Sequence, residues 1–325
     1  MVMGNSANDD RKKSPLPKLN ASKDTAKNKG EREKISQNNK MVFPKRYHEY
    51  KKKSAKARKK FKSIVLCECL LLVAIPTLAY LSYFCQSFWS RLLLFALSLI
   101  GALALPYLFK KKNKLEHEWY ENKTKEESVK AISWLYCMGA PPYKDLDKAK
   151  DHFIRELILI SKDHGLIALD DVYKINNEGE QEFFDNAQKL KDMGIYDRLK
   201  FYMVERVDDQ CYWYLKKSSQ NKKKRIIFDI LLFILMTSLP FVALLFTPLI
   251  GIVLAVAFFL VKWKTIFKYN ELEKVYSSTA QEINLIKLDY LYPLARQKEF
   301  IFEDFVRDIE PAFSREYTSP YARRI

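Results

Sequence analysis

Residues 50–76 read YKKKSAKARKKFKSIVLCECLLLVAIP, and residues 214–240 read YLKKSSQNKKKRIIFDILLFILMTSLP. Tyr, a Lys-Ser cluster, a second basic cluster, an apolar run and a Pro recur in the same order, without a gap, at a constant offset of 164. Self-similarity at a fixed spacing constrains the architecture before any local assignment. Each unit reads as a basic helix that runs into a membrane and turns there. Working outward, Ser63 to Cys85 holds one acid, Glu68, and no base, and Leu92 to Phe109 is uncharged. Ile226 to Val261 carries Asp229 as its only charge. A crossing helix needs about 20 apolar residues for roughly 30 Å of hydrocarbon. The last stretch is too long for one crossing and suits two short ones. The expected fold is an all-α membrane protein with two transmembrane helical hairpins, four spans in all, continued by long cytoplasmic helices. A mean hydropathy of −0.27 conceals this.

Charge supports the same layout. The formal net charge is +17, and residues 1–62 alone hold 20 Lys and Arg against 6 Asp and Glu. Basic clusters then mark every span edge: Lys110 to Lys112 with Lys114, Lys222 to Arg225, and Lys262, Lys264 and Lys268. The turns between paired spans hold one base, Arg91. The positive-inside rule places both termini and the central segment in the cytoplasm of a bacterial inner membrane, with the hairpin tips outward. No cleaved leader is expected, since the first apolar run begins beyond residue 60 and no small-residue cleavage site follows it. Five cysteines at irregular positions make no disulfide framework and read as small apolar residues.

The hairpins are unequal. Leu108-Phe109-Lys110 corresponds to Leu260-Val261-Lys262 at an offset of 152, so the second hairpin is 12 residues shorter. At 1.5 Å per residue, equal sharing would remove roughly 9 Å from each arm.

Four segments follow. Residues 1–43 are a basic tail too poor in apolar residues to offset its ordering entropy, and read as disordered. Residues 44–143 are the first two-span unit, 144–194 a helical connector, and 195–325 the second two-span unit with C-terminal helices. A helix from Lys110 to about Cys137 stops at Gly139-Ala140-Pro141-Pro142. Leu146, Ala149, Phe153, Leu157 and Ile160 recur at helical spacing, with Gly165 as the expected C-cap. Leu166 to Asn177 fits a short strand or a loop. Glu180 to Met193 reads as a helix closed by Gly194, and another from about Tyr196 leads into the third span. Tyr269, Leu272, Tyr276, Thr279, Ile283, Ile286 and Tyr290 alternate three- and four-residue steps, the seam of a helix packed lengthwise on another. Pro293 is expected to end it, before a last amphipathic helix with Phe300, Phe305, Ile309 and Phe313.

Several residues bear on function. Glu68 and Asp229 lie inside spans, where carboxylates are costly and face a bundle interior or water. They line a polar path, or else pair at the interface with Lys62 and Arg225. Pro76 and Pro240, with Pro106 and Pro248, lie in the apolar runs as hinges or as bends toward the turns. The heptad-like seam, Tyr269 to Tyr290, is the expected assembly contact between copies. Gly-rich phosphate loops, nucleophile elbows and paired CxxC motifs do not occur, so no enzyme, cofactor or metal is expected.

The layout resembles the SLATT domain family, two-span effector modules associated with SMODS nucleotide cyclases and SLOG sensors in prokaryotic conflict systems. The likeness rests on a basic amphipathic helix feeding a hairpin, followed by WYENKTKEESVKAISWLYCMGAPPY from Trp119 to Tyr143. The second copy adds VERVDDQCYWYLKKS from Val204 and EFIFEDFVRDIEPAFSREY from Glu299. The resemblance implies a tandem membrane effector. On a nucleotide second messenger or similar signal, made by a separate protein, it would oligomerise and permeabilise the inner membrane. The expected partners are the lipid bilayer and further copies of the chain. A basic tail almost without aromatics is a weak nucleic-acid binder. The alternative is a non-conducting membrane-anchored scaffold whose cytoplasmic helices bind a partner or nucleic acid. A transporter fits less well, given parallel hairpins and few buried polar residues.

Overall fold

The computed structural model describes residues 40–161, 180–295 and 301–314. The basic tail through residue 39, the Gly165 cap, the Leu166 to Asn177 segment and Phe300 lie outside them. Every element among the described residues is helical.

Helix α1 (Lys45–Phe84) starts directly after Pro44, whose carbonyl accepts from the Tyr47 amide at 3.0 Å. Its basic half hides a seam: Tyr47, Tyr50, Ser54, Ala57, Phe61, Val65 and Glu68 are buried, at steps of three and four. The lysines between them fill the outer face, so the helix enters the membrane already packed. α2 (Phe88–Met138) returns antiparallel along α1. Between the two, Arg91 Nε donates to the Cys85 carbonyl at 2.5 Å, satisfying a helix-end acceptor at the turn. Gly101 marks close approach, since a Cβ there would stand 3.3 Å from Ile75 Cγ1. Gly139 ends α2 in the left-handed conformation, φ 67°, with the Ala140 amide bonded back to Leu135.

α3 (Leu146–Ser161) and α4 (Gln181–Lys191) cover the end of α2. Phe153 and Phe183 stack at 4.9 Å, and both face Tyr136. α5 (Ile195–Tyr202) widens into a π-helical turn, Met203–Asp208, then continues as α6 (Asp209–Leu245). A short 3-10 turn, Thr247–Leu249, joins it to α7 (Ile250–Phe267). Pro248 therefore sits in the turn, not in a span. Lys268, left-handed at φ 46°, is the single-residue corner before α8 (Tyr269–Ala295). That helix runs past Pro293 rather than ending at it. α9 (Phe302–Ile309) buries Phe302, Phe305, Val306 and Ile309, and a 3-10 segment, Glu310–Ser314, closes the described chain.

Among the described residues, four helical stretches are long and apolar enough to cross a membrane: Lys45–Phe84, Phe88–Met138, Ile195–Leu245 and Ile250–Tyr290. Their apolar faces are open, with Phe95 61%, Leu103 70% and Phe233 68% exposed, as expected when lipid is the solvent. The shortening of the second hairpin is not shared between its arms. Ser63–Phe84, Phe88–Phe109 and Ile226–Leu245 are each near full length, whereas α7 offers only Ile250–Val261 ahead of its first base. That arm is about 18 Å long.

Candidate functional site

The short arm explains the acid in the first span. Because α7 meets its lysines early, Lys262 lands beside α1 at the depth of Glu68. Lys262 Nζ donates to Glu68 Oε1 at 2.6 Å, and Lys112 Nζ donates to Oε2 at 3.2 Å. Glu68 is 3% exposed, so this carboxylate ties α1, α2 and α7 together inside the bundle. Around it Phe61, Val65, Cys69 and Leu115 form an apolar cluster with Phe259, Trp263 and Phe267 of α7. Lys62 is not its partner, contrary to the expectation, because Lys62 leaves α1 on the exposed flank.

Asp229 makes a parallel arrangement in the second hairpin. It accepts from Lys264 of α7 and lies 3.8 Å from Arg225, the expected partner, whose Nε bonds Glu273 of α8 at 2.8 Å. At the hairpins' offset of 152, Lys112 corresponds to Lys264. Each hairpin thus closes its basic end with an acid from its first span and an equivalent lysine from its second. Glu68 and Asp229 thus pair with different lysines.

The heptad-like seam is filled within the chain. Tyr269, Tyr276 and Ile283 are buried, and Tyr276 packs edge-on against Trp213 of α6 at 5.6 Å. Leu272 and Ile286 are half-buried, and Tyr290 donates to Asp308 of α9. Within one chain this seam packs against α6, whose Tyr214, Ser218, Asn221 and Arg225 recur at the same three-four spacing. Pro76 and Pro240 lie within α1 and α6, which run through both.

A second charged cluster stands outside the spans. In the π-helical turn, one extra residue per turn brings the neighbours Arg206 and Val207 inward together. Arg206 meets Glu310 through Nε to Oε1 at 3.0 Å and Nη2 to Oε2 at 2.7 Å, both residues 1% exposed. Tyr202 donates to the same carboxylate at 2.7 Å, and the guanidinium covers the Phe313 ring at 4.4 Å. Tyr214 donates to the Phe313 carbonyl at 2.6 Å. The C-terminal segment is thereby locked against both repeats, because Trp134 of α2 packs on Phe201 and Tyr202. Nearby, Lys123 bridges Glu126 at 2.9 Å and Glu127 at 2.7 Å, and Ser54 of α1 donates to Glu126 at 3.0 Å.

Residues 44–181 match the family model described as SMODS and SLOG-associating 2TM effector domain 3, and residues 202–319 match effector domain 1 of the same group. The chain is a tandem SLATT protein. No curated protein and no solved structure matches it. The SLATT hairpins carry the membrane-edge clasps, and the Arg206–Glu310 lock joins the second SLATT domain's own ends. The two copies answer to different models of the group, in keeping with their unequal hairpins.

Lys130 gives the locked region a pH response. Burial, then the neighbouring Arg206, pulls its ammonium down to about 8. Unfolded, the lysine keeps its proton to about 10.4. The folded state therefore binds fewer protons between these values, and stability rises as pH climbs from about 8 toward 10. A Lys130→Met variant is expected to unfold at a higher temperature than the parent at pH 7. That advantage should shrink by pH 10, as read by thermal melts in one detergent across that range.

Proposed function

We propose that this tandem SLATT protein is a membrane effector of a bacterial conflict system, non-enzymatic, resident in the inner membrane with both termini and the helical body in the cytoplasm. On a nucleotide second messenger or similar signal from a separate protein, several copies assemble and permeabilise that membrane. The observation that carries this reading is the closure of both hairpins by ion pairs at one edge, with apolar surface on the remaining spans. Spans so apolar, packed in this way, offer one copy little polar lining among the described residues, and on this reading a conducting state requires the hairpins to part and copies to combine. The family description, a two-span effector domain, supports the same direction. Induced expression in a bacterial host, with a potential-sensitive dye, tests it. Loss of membrane potential and arrested growth are expected, and a host whose potential stays intact with every cyclic or linear signalling nucleotide supplied would reject it.

A further inference from the structure

At the edges of these spans Lys112 and Lys262 share Glu68, Lys264 holds Asp229, and Arg225 holds Glu273. Arg58, Lys62, Lys217 and Lys224 are among the edge bases that form no ion pair with any acid among the described residues. Arg58 and Lys62 are one turn apart on α1, and Lys217 and Lys224 are two turns apart on one edge of α6. Three of the four stand over aromatic rings. Arg58 lies over Trp119 at 5.3 Å, Lys217 over Trp213 at 5.7 Å and Lys224 over Tyr269 at 5.6 Å. Tyr269 accepts from the Trp263 indole at 3.1 Å, and Trp263 packs against the cluster containing Phe61, the residue before Lys62. An aromatic floor thus runs from Lys224 on α6 to Lys62 on α1 across the α7–α8 corner. The charges are close enough to repel: burial and then Arg58, Lys224 and Lys217 push the Lys62 ammonium below its ordinary value, and no carboxylate offsets them. Like charges gathered from both repeats cost stability unless an anion joins them.

We propose that Arg58, Lys62, Lys217 and Lys224 form a binding site for a phosphate-bearing anion between the two repeats, at the basic edge of the membrane. Lys62 immediately precedes the apolar run of α1, and Lys224 lies two residues before that of α6. A diester headgroup in the bilayer and a phosphate free in water both reach that level. The site does not depend on pore formation, and binding is read without any measure of conduction. The full chain, held in an uncharged detergent, is titrated separately with short-chain phosphatidylglycerol and with inorganic pyrophosphate while Trp fluorescence is followed, since Trp119, Trp213 and Trp263 floor the site. At about 1 kcal/mol per lysine near a phosphate surface, Lys62→Gln with Lys224→Gln should weaken binding roughly tenfold or more. Lys56→Gln with Lys60→Gln removes equal charge from the exposed opposite flank of α1 and should bind as the parent does. A saturable response to phosphatidylglycerol alone assigns the site to a lipid headgroup, and a response to pyrophosphate assigns it to a free phosphate. No saturable response to either, or equal behaviour of the two double variants, overturns the proposal.

Discussion

Replacing Glu310 with Gln should lower the stability of the folded chain by about 3–5 kcal/mol, the cost of leaving one member of a buried ion pair without its partner. The magnitude follows from the burial of both groups, each 1% exposed, and from the three donors that converge on this carboxylate. A neutral amide keeps the shape but returns little to the guanidinium, which would remain charged inside the bundle. Arg206 already holds one nitrogen, Nη1, without a hydrogen-bond partner among the described residues. Replacing both residues at once, Arg206→Met with Glu310→Leu, should restore most of the loss, because no charge is then stranded. Thermal melts and the rate of proteolysis within residues 301–314 read both effects. A Glu310→Gln protein that melts with the parent would mean that packing by Phe305, Val306 and Phe313 alone holds the segment.

Glu68→Ala is the second large change, and it acts in the membrane. It removes the shared acceptor of Lys112 and Lys262 and leaves two ammonium groups at an apolar edge. Each uncompensated charge there costs several kcal/mol unless it moves toward water. Lys112 has polar surroundings within reach beyond Phe109, but Lys262 follows the short arm and must draw α7 with it. The expected result is a loosened second hairpin, a melt lowered by the equivalent of about 3–5 kcal/mol, and dye leakage from vesicles holding the variant. Lys112→Met with Lys262→Met in the Glu68→Ala background should recover most of the stability. Unaltered leakage together with an unaltered melt would remove Glu68 from any part in holding the hairpins.

Much of this organisation is legible in the chain because membranes impose strong rules. Apolar length, charge at the edges and the 164-residue repeat mark out four crossings and their pairing. The stop of the long helix at Gly139-Ala140-Pro141-Pro142 and the 146–160 periodicity follow from local chemistry and recur in the structure. The acid in the first span was visible, but its partners were not. Lys112 and Lys262 are distant in sequence, and only the correspondence of Lys112 with Lys264 hints that the hairpins close alike. The lock was hidden for a different reason. A π-helical turn has no composition of its own, and Arg206 in a polar stretch reads as a surface residue until the wider turn rotates it inward. The seam from Tyr269 to Tyr290 had the correct period for a helix partner, but period alone does not say whether that partner is another copy or α6 of the same chain.

The arm from Ile250 to Val261 has a consequence for the lipid around it. Hydrocarbon roughly 30 Å deep meets a wall about 18 Å tall, with Leu254 and Phe258 turned outward. The acyl chains beside that wall must tilt or compress to keep Lys262 and Lys264 out of oil, so one flank of the molecule carries a dimple in the leaflet. Elastic distortion of this kind is relieved when two dimples merge. Under the proposed assembly, the bilayer itself would draw neighbouring molecules together flank to flank, through a force expected to weaken as the surrounding lipid becomes thinner.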